Sequence, residues 1–325
     1  EVGPLRTVAR MAHPTEVNKL APSPHRPQLL ATKAVTGDVL LFDYKAERPS
    51  GQVSPDATLR PGREAVDGFA LAWSPQQRPL LASGGNDGRL CVWDVDVTAK
   101  AAPSSPLHEG KAHKSGLCDL SFSHHEPTLA TVGEDGLLHV WDLRRGLGAS
   151  PCTVMRASSH ELLGVDWSVH SERMLATSGK DKHVLVWDLR QPKEPLRSLR
   201  GHRGDAVVVR WAPFREDLLA SASGDGRLHL WDLAAYGGEA SAAPRALRPV
   251  AAEDGEDEAP ELLFAHGGHS SGVSDFAWSD ADEFLMCSVA EDNTLHIWQP
   301  SSDCYLADSE DEPGPSAAKR ARTDD

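Results

Sequence analysis

Histidine, a serine or threonine, and aspartate recur in this chain at spacings that could build a proton relay. His113 is followed by Thr131 and Asp135, and the same order returns after His160 with Asp181, after His202 with Asp225, and after His269 with Asp292. An imidazole placed between a carboxylate and a hydroxyl is the arrangement with which a hydrolase activates a nucleophile. Repetition argues against that chemistry. One active site needs one triad, whereas this trio comes back along the chain, each time with a tryptophan: Trp141, Trp187, Trp231 and Trp298. No catalytic residue is assigned, and the protein is expected not to be an enzyme. His266 and His269, in HGGH, are types that bind metal. His269 already belongs to the recurring set and no further ligand cluster is evident, so neither a metal site nor a cofactor is expected. There is no P-loop and no GxGxxG.

The elements that must position these groups repeat as well. Six segments end at Phe42-Asp43, Trp93-Asp94, Trp141-Asp142, Trp187-Asp188, Trp231-Asp232 and Trp298-Gln299, with spacings of 51, 48, 46, 44 and 67 residues. Inside each, an alternating apolar–polar stretch ends on an aromatic, as in Leu71-Ala-Trp73 and Val165-Asp-Trp167. A strand of small residues follows, such as Leu129-Ala-Thr131 or Leu219-Ala-Ser221, then a tight turn holding Asp38, Asp87, Asp135, Asp181, Asp225 or Asp292. Period-two alternation with Asp-Gly turns predicts antiparallel strands joined by hairpins. All nine tryptophans fall at two strand positions of this unit.

Composition bounds the rest. Of 325 residues, 40% are hydrophobic and 25% charged, which suits a globular chain with a sizeable core. The formal net charge of −15 repels nucleic acid and anionic membranes and attracts basic partners. Cys91, Cys118, Cys152, Cys287 and Cys304 are odd in number and form no CxxC pair, which favours a reducing compartment over a disulfide framework. No apolar run approaches the ~18 residues of a membrane span, and no signal peptide is visible. The chain begins at Glu1 and not at methionine, so its amino terminus is expected upstream.

The His, Ser/Thr, Asp, Trp set resembles the buried hydrogen-bonded tetrad of WD40 repeats, and the resemblance implies an all-β propeller of four-stranded blades. The units at 13–44, 66–95, 113–143, 160–190, 202–233 and 269–299 supply six complete repeats within 13–299. Pro4–Met11, inside 1–12, alternates like an outer strand whose blade begins upstream. That implies a seven-bladed parent, with six-bladed closure as the competing reading. The segment 234–262 is an insertion rich first in Ala, Gly, Ser and Pro and then in acid. Residues 300–325 form a tail expected to be disordered, with an acidic stretch at Asp308–Glu312 and a basic cluster at Lys319–Arg322 that would suit nuclear localisation.

Longer phrases carry a narrower resemblance. His13-Pro-Thr-Glu-Val-Asn18, Asp38–Tyr44, Glu261–His269, Ser274-Asp-Phe276 and Ser288–Asn293 are similar to the first complete and the last repeats of the retinoblastoma-binding, MSI-type histone chaperones. It spans nearly the whole chain and about the carboxy-terminal three quarters of that family's pattern. It implies a nuclear, and secondarily cytoplasmic, scaffold that binds histones H4 and H3. It would serve chromatin assembly, remodelling, acetyltransferase, deacetylase and Polycomb complexes, with no direct nucleic-acid or membrane contact. A helix of histone H4 would meet an edge loop of Glu253, Asp254, Glu256, Asp257, Glu258, Glu261, Leu262, Leu263 and Phe264. The residues alone leave Leu262–Phe264 equally readable as the next outer strand. A basic H3-type tail would meet a top face at Glu16, Asn18, Asp67, Phe69, Glu161, Asp205, Glu291 and Asn293. Cys118, Leu163 and Val207 depart from the family pattern there, where it has an acid, an amide and an aromatic. A generic WD-repeat adaptor, such as a ubiquitin-ligase substrate receptor docking through Trp187-Asp-Leu-Arg190, is the alternative.

Overall fold

A computed structural model describes residues 11–45, 55–62, 64–95, 105–148, 150–236 and 259–305. The first sheet consists of β1 (Val17–Pro22), β2 (Leu29–Ala34), β3 (Val39–Asp43) and β4 (Ala57–Leu59). The second is β5 (Leu71–Trp73), β6 (Leu80–Gly84), β7 (Arg89–Asp94) and β8 (His108–Lys111). β9 (Leu117–Phe122), β10 (Thr128–Gly133), β11 (Leu137–Asp142) and β12 (Thr153–Arg156) form the third. The fourth is β13 (Leu162–Trp167), β14 (Met174–Gly179), β15 (Val184–Asp188) and β16 (Arg197–Leu199). β17 (Ala206–Trp211), β18 (Leu218–Ser223), β19 (Leu228–Asp232) and β20 (Leu262–His266) make the fifth. The sixth has three strands among the described residues: β21 (Val273–Trp278), β22 (Met286–Ala290) and β23 (Leu295–Trp298).

Every sheet is an antiparallel meander, and one register recurs. Leu30 faces Phe42, Leu81 faces Trp93, Leu129 faces Trp141, Leu175 faces Trp187, Leu219 faces Trp231 and Met286 faces Trp298. The first strands of successive sheets pack side by side, so the sheets stand radially, as the repeat predicted. Six blades are present among the described residues; Pro4–Arg10, on which the seven-bladed expectation rests, lie outside them.

A radial sheet is covered on both faces, and its second strand shows it. β10 and β18 are buried almost end to end instead of alternating, which selects Ala, Ser, Thr and Leu there. Core therefore lies between sheets: Ala176, Val186 and Leu199 of the fourth share one cluster with Val209, Trp211 and Trp231 of the fifth.

The recurring polar set ties the third, fifth and sixth sheets internally. Trp141 donates its indole N–H to Thr131 Oγ1 at 3.0 Å, and that hydroxyl meets His113 Nε2 at 2.9 Å. His113 Nδ1 lies 3.0 Å from Asp135. With Nδ1 protonated, every member has a partner and the imidazole is neutral. The fifth sheet repeats the chain through Trp231, Ser221, His202 and Asp225 at 2.8, 2.7 and 3.4 Å. The sixth repeats it through Trp298, Ser288, His269 and Asp292 at 3.2, 2.8 and 3.3 Å. The aspartate also caps its own turn, as where Asp225 accepts from Arg227 N at 2.9 Å. Gly88, at φ 75°, occupies such a turn, and a Cβ there would sit 2.2 Å from the Ser115 carbonyl oxygen. Lys182 and Asn293 hold the same left-handed conformation without being glycine.

The fourth sheet corrects the sequence reading. His160 is exposed and its ring takes no part in the relay; Ser158 does, donating to Asp181 at 2.7 Å. The amides of Ala157 and Ser158 both bond the Gly136 carbonyl, as those of Ala112 and His113 bond Gly88. That register puts Ser158 where the first, third, fifth and sixth sheets have histidine, two residues before His160. Trp187 still donates to Thr177 at 3.0 Å. The first sheet keeps His13 on Thr32 at 2.9 Å but has Phe42 in place of the indole. In the second, Trp93 Nε1 is buried and finds no acceptor.

A feature absent from the sequence reading is a second histidine stacked on the first. His139 lies on His113 with centroids 4.4 Å apart, His229 on His202 at 4.1 Å and His296 on His269 at 3.9 Å. Burial holds His113 and His139 below the ordinary imidazole range and, with His202 beside it, pushes His229 down to about 3.

Two outcomes follow. Ser221→Ala leaves two buried groups unpaired, each costing about 1–3 kcal/mol, and Ser158→Ala costs about 1 kcal/mol, whereas His160→Ala stays within about 0.5 kcal/mol; urea unfolding measures all three. The unfolded chain takes up protons at His113, His124, His139, His229 and His266 below about pH 6.5 while burial in the fold keeps them neutral, so stability falls as pH falls from there towards 3. Asp166, pushed up to about 6 by burial, opposes this with a single group. Melting temperature is expected to drop between pH 7 and pH 4.5, and His229→Leu to flatten that slope.

Candidate functional site

One hydrogen bond recurs in all six sheets and defines one end of the molecule. In five sheets the residue before the first strand, and in the second sheet Asp67 four residues ahead of β5, accepts through its carbonyl from an amide in the turn that follows the second strand. The pairs are Glu16 with Val35, Asp67 with Asn86, Gly116 with Glu134, Glu161 with Lys180, Asp205 with Gly224, and Gly272 with Glu291. Two concentric positions thus repeat around this end. Where the inner one is acidic, the carboxylate is Glu16, Asp67, Glu161 or Asp205. Where it is glycine, at Gly116 and Gly272, the outer one is Glu134 or Glu291. Every sheet therefore contributes one carboxylate to a ring, all of them exposed or half-exposed.

The ring contains five of the acids and amides expected for the top face, namely Glu16, Asp67, Glu161, Asp205 and Glu291. It adds Glu134, which the sequence reading missed; its equivalence to Glu291 emerges only from the shared hydrogen bond. Glu134 accepts from Gly116 N at 3.0 Å. Lys180 is the one base at these positions, paired with Glu161 at 2.6 Å, and that carboxylate raises its ammonium above the ordinary range. Asn293 occupies the next turn position of the sixth sheet and is exposed.

Two residues inward, the first strands carry a β-bulge. Pairing skips Asn18, Cys118, Leu163, Val207 and Ser274, each the second residue of its strand. A bulged residue is left unpaired and its side chain is re-aimed. These five, with Phe69 at the equivalent place in the second sheet, form a collar inside the ring. Phe69 is 56% exposed, enough to offer its face to a ligand. Asn18 is held by Asp67 and the Gly68 carbonyl. Cys118, Leu163 and Val207 are therefore collar positions, and with Phe69 they make four of its six residues apolar. Burial and the neighbouring Glu134 push the Cys118 thiol up to about 12, so it stays neutral.

Below the collar the first strands carry charge towards the axis. Arg210 lies 3.6 Å from Asp119, and Lys19 of β1 reaches Asp275 of β21 at 2.6 Å. Asp166 accepts from Trp211 N at 2.8 Å and Asp119 from Val165 N at 3.2 Å, so these carboxylates also satisfy the edge amides of the next sheet.

The edge loop is only partly described: Glu253, Asp254, Glu256, Asp257 and Glu258 lie outside the described residues. Glu261 is buried, and Leu262, Leu263 and Phe264 belong to β20, half-buried. Leu262 joins the core of the fifth sheet, Leu263 and Phe264 that of the sixth, and Phe264 leans on Trp298 at 5.8 Å. Their first duty is that of an outer strand. On another part of the surface, a groove of about 340 Å³ is lined by Val140, Trp167, Glu172, Arg173, Leu189 and Arg190 among others.

The family model described as WD domain, G-beta repeat matches residues 61–94, 104–142, 150–188, 193–232 and 260–299, more than half of the chain. The first sheet lies outside these segments yet has the same register and the same ring hydrogen bond.

Proposed function

This chain belongs to the WD domain, G-beta repeat family and is a protein-interaction scaffold, and we propose that the partners it holds are histones. In this reading it is a non-enzymatic, nuclear histone-binding subunit. It presents H3 and H4 to chromatin assembly, remodelling and histone-modifying complexes.

The observation that carries the reading is the ring of six carboxylates, one from each sheet, around an apolar collar. A basic tail fits such a surface in two ways at once. Its ammonium and guanidinium heads pair with the rim, while their aliphatic stems lie on Phe69, Leu163 and Val207. With few bases to cancel it, the ring also raises the encounter rate of cationic peptides. The acidic run Glu253–Glu258, close in sequence to β20, adds negative charge of the kind that pairs with the basic helix of H4.

Calorimetric titration of the full chain with an H3 tail peptide and an H4 helix peptide tests this. Each should bind, more weakly as salt rises and the screening length shortens. Asp205→Lys should weaken the H3 peptide roughly tenfold, about 1.4 kcal/mol, and leave the H4 peptide unaffected. If a scrambled peptide of equal charge binds as well as either histone peptide, the histone assignment fails and only an acidic surface remains.

The groove beside Arg190 favours a second reading, that of an adaptor docking through Trp187–Arg190. Arg190 is clamped on Asp188, both its Nε contacts lying within 3.0 Å, and so is pre-aimed at the surface. An Arg190→Ala change that abolishes capture of a ubiquitin-ligase adaptor subunit, in a chain that binds neither histone peptide, would establish it.

A further inference from the structure

We infer that His266 and His296 form a two-histidine site for a borderline divalent transition metal of the Zn²⁺ class. His266 ends β20 of the fifth sheet, and His296 lies in β23 of the sixth. Their ring nitrogens Nε2 and Nδ1 converge at 3.2 Å, with the rings perpendicular at 89°. Two nitrogens each about 2.0–2.1 Å from a tetrahedral Zn²⁺ stand about 3.3 Å apart, so this spacing is that of one edge of a coordination tetrahedron.

Neither ring is free to turn. His266 stacks on Trp298 at 4.3 Å and 5°, and His296 on His269 at 3.9 Å and 10°. Behind His296, Nε2 lies 3.4 Å from Thr294 Oγ1, which donates to Asp292 at 2.6 Å. A proton on Nε2 leaves the Nδ1 lone pair facing His266, the tautomer a metal requires, and the hydroxyl and carboxylate form the outer shell that orients it. His269 belongs to the same group of three, whose ligand atoms lie within 4.8 Å of one another. Both its nitrogens are committed to Ser288, Asp292 and Thr294, so it supports the site without ligating.

Two details separate this place from ordinary repeat packing. At the register position of His266 the other sheets carry Gly110, Met155 and Leu199, so the fold does not require an imidazole here. Beside the two rings, a Cβ added at Gly268 would stand 3.0 Å from His266 Nε2 and 3.1 Å from His296 Cε1. Gly268 keeps that space clear. Gly267 and Gly268 are exposed, which leaves the remaining coordination positions to water.

Zn²⁺ titrated into the metal-free full chain, followed by calorimetry and by imidazole ¹⁵N shifts, is the test. One equivalent should bind, shifting His266 Nε2 and His296 Nδ1 and raising the melting temperature. His266→Gln and, independently, Gly268→Ala should each weaken binding roughly tenfold or more, with circular dichroism showing the metal-free fold retained. His124→Gln, a histidine elsewhere, should change nothing. An isotherm unaltered by His266→Gln and Gly268→Ala, or the absence of saturable binding, overturns the site and leaves a proton bridging the two rings.

Discussion

The structure depends on a buried hydroxyl. In the third, fifth and sixth sheets a serine or threonine of the second strand accepts from the tryptophan of the third strand and reaches the histidine that precedes the first. The hydroxyl and the histidine it reaches are out of water, so a missing partner would cost the full desolvation of whatever remains. The aspartate closes the chain from the turn, and because it caps that turn as well, one carboxylate fixes both the hairpin and the imidazole. The third, fifth and sixth sheets are thereby locked internally before they pack on their neighbours. The sheets can then be joined mainly by apolar contact, with the axial carboxylates covering the exposed amide edges.

The binding end is a consequence of the same frame. The loop-to-turn hydrogen bond that repeats in six sheets holds two side-chain positions at fixed places on the rim. The bulge beside it turns one more residue inward. Charge at the rim and apolar surface at the collar are thus properties of positions, and the chain fills them differently in each sheet. Glutamate appears on the turn where the loop has glycine. The result is an even ring of carboxylates assembled from two different strand connections.

How far this was legible differs from element to element. The six strand sets, the turn aspartates and three complete relays followed from spacing, because hairpin geometry ties a residue's position in the sequence to its place in the sheet. His160 shows where spacing misleads. A two-residue offset in the connection moves Ser158 into the relay, and only the amides on the Gly136 carbonyl reveal the register. Leu262–Phe264 were readable both as ligand contacts and as strand, and packing against Trp298 and the fifth-sheet core makes them strand. Glu134 escaped notice because its neighbours in sequence resemble any turn.

The sequence by itself determined the repeat, the radial all-β architecture and the acidic balance, since each is local: a period of strands and turns, or a sum of charges. Tertiary structure decided which side chains meet. The carboxylate ring joins residues from Glu16 to Glu291, and the imidazoles of His266 and His296 come together from adjacent sheets. In a propeller, closeness across sheets is set by the rotation from one blade to the next. That rotation comes from packing between whole sheets, which no local pattern of residues records.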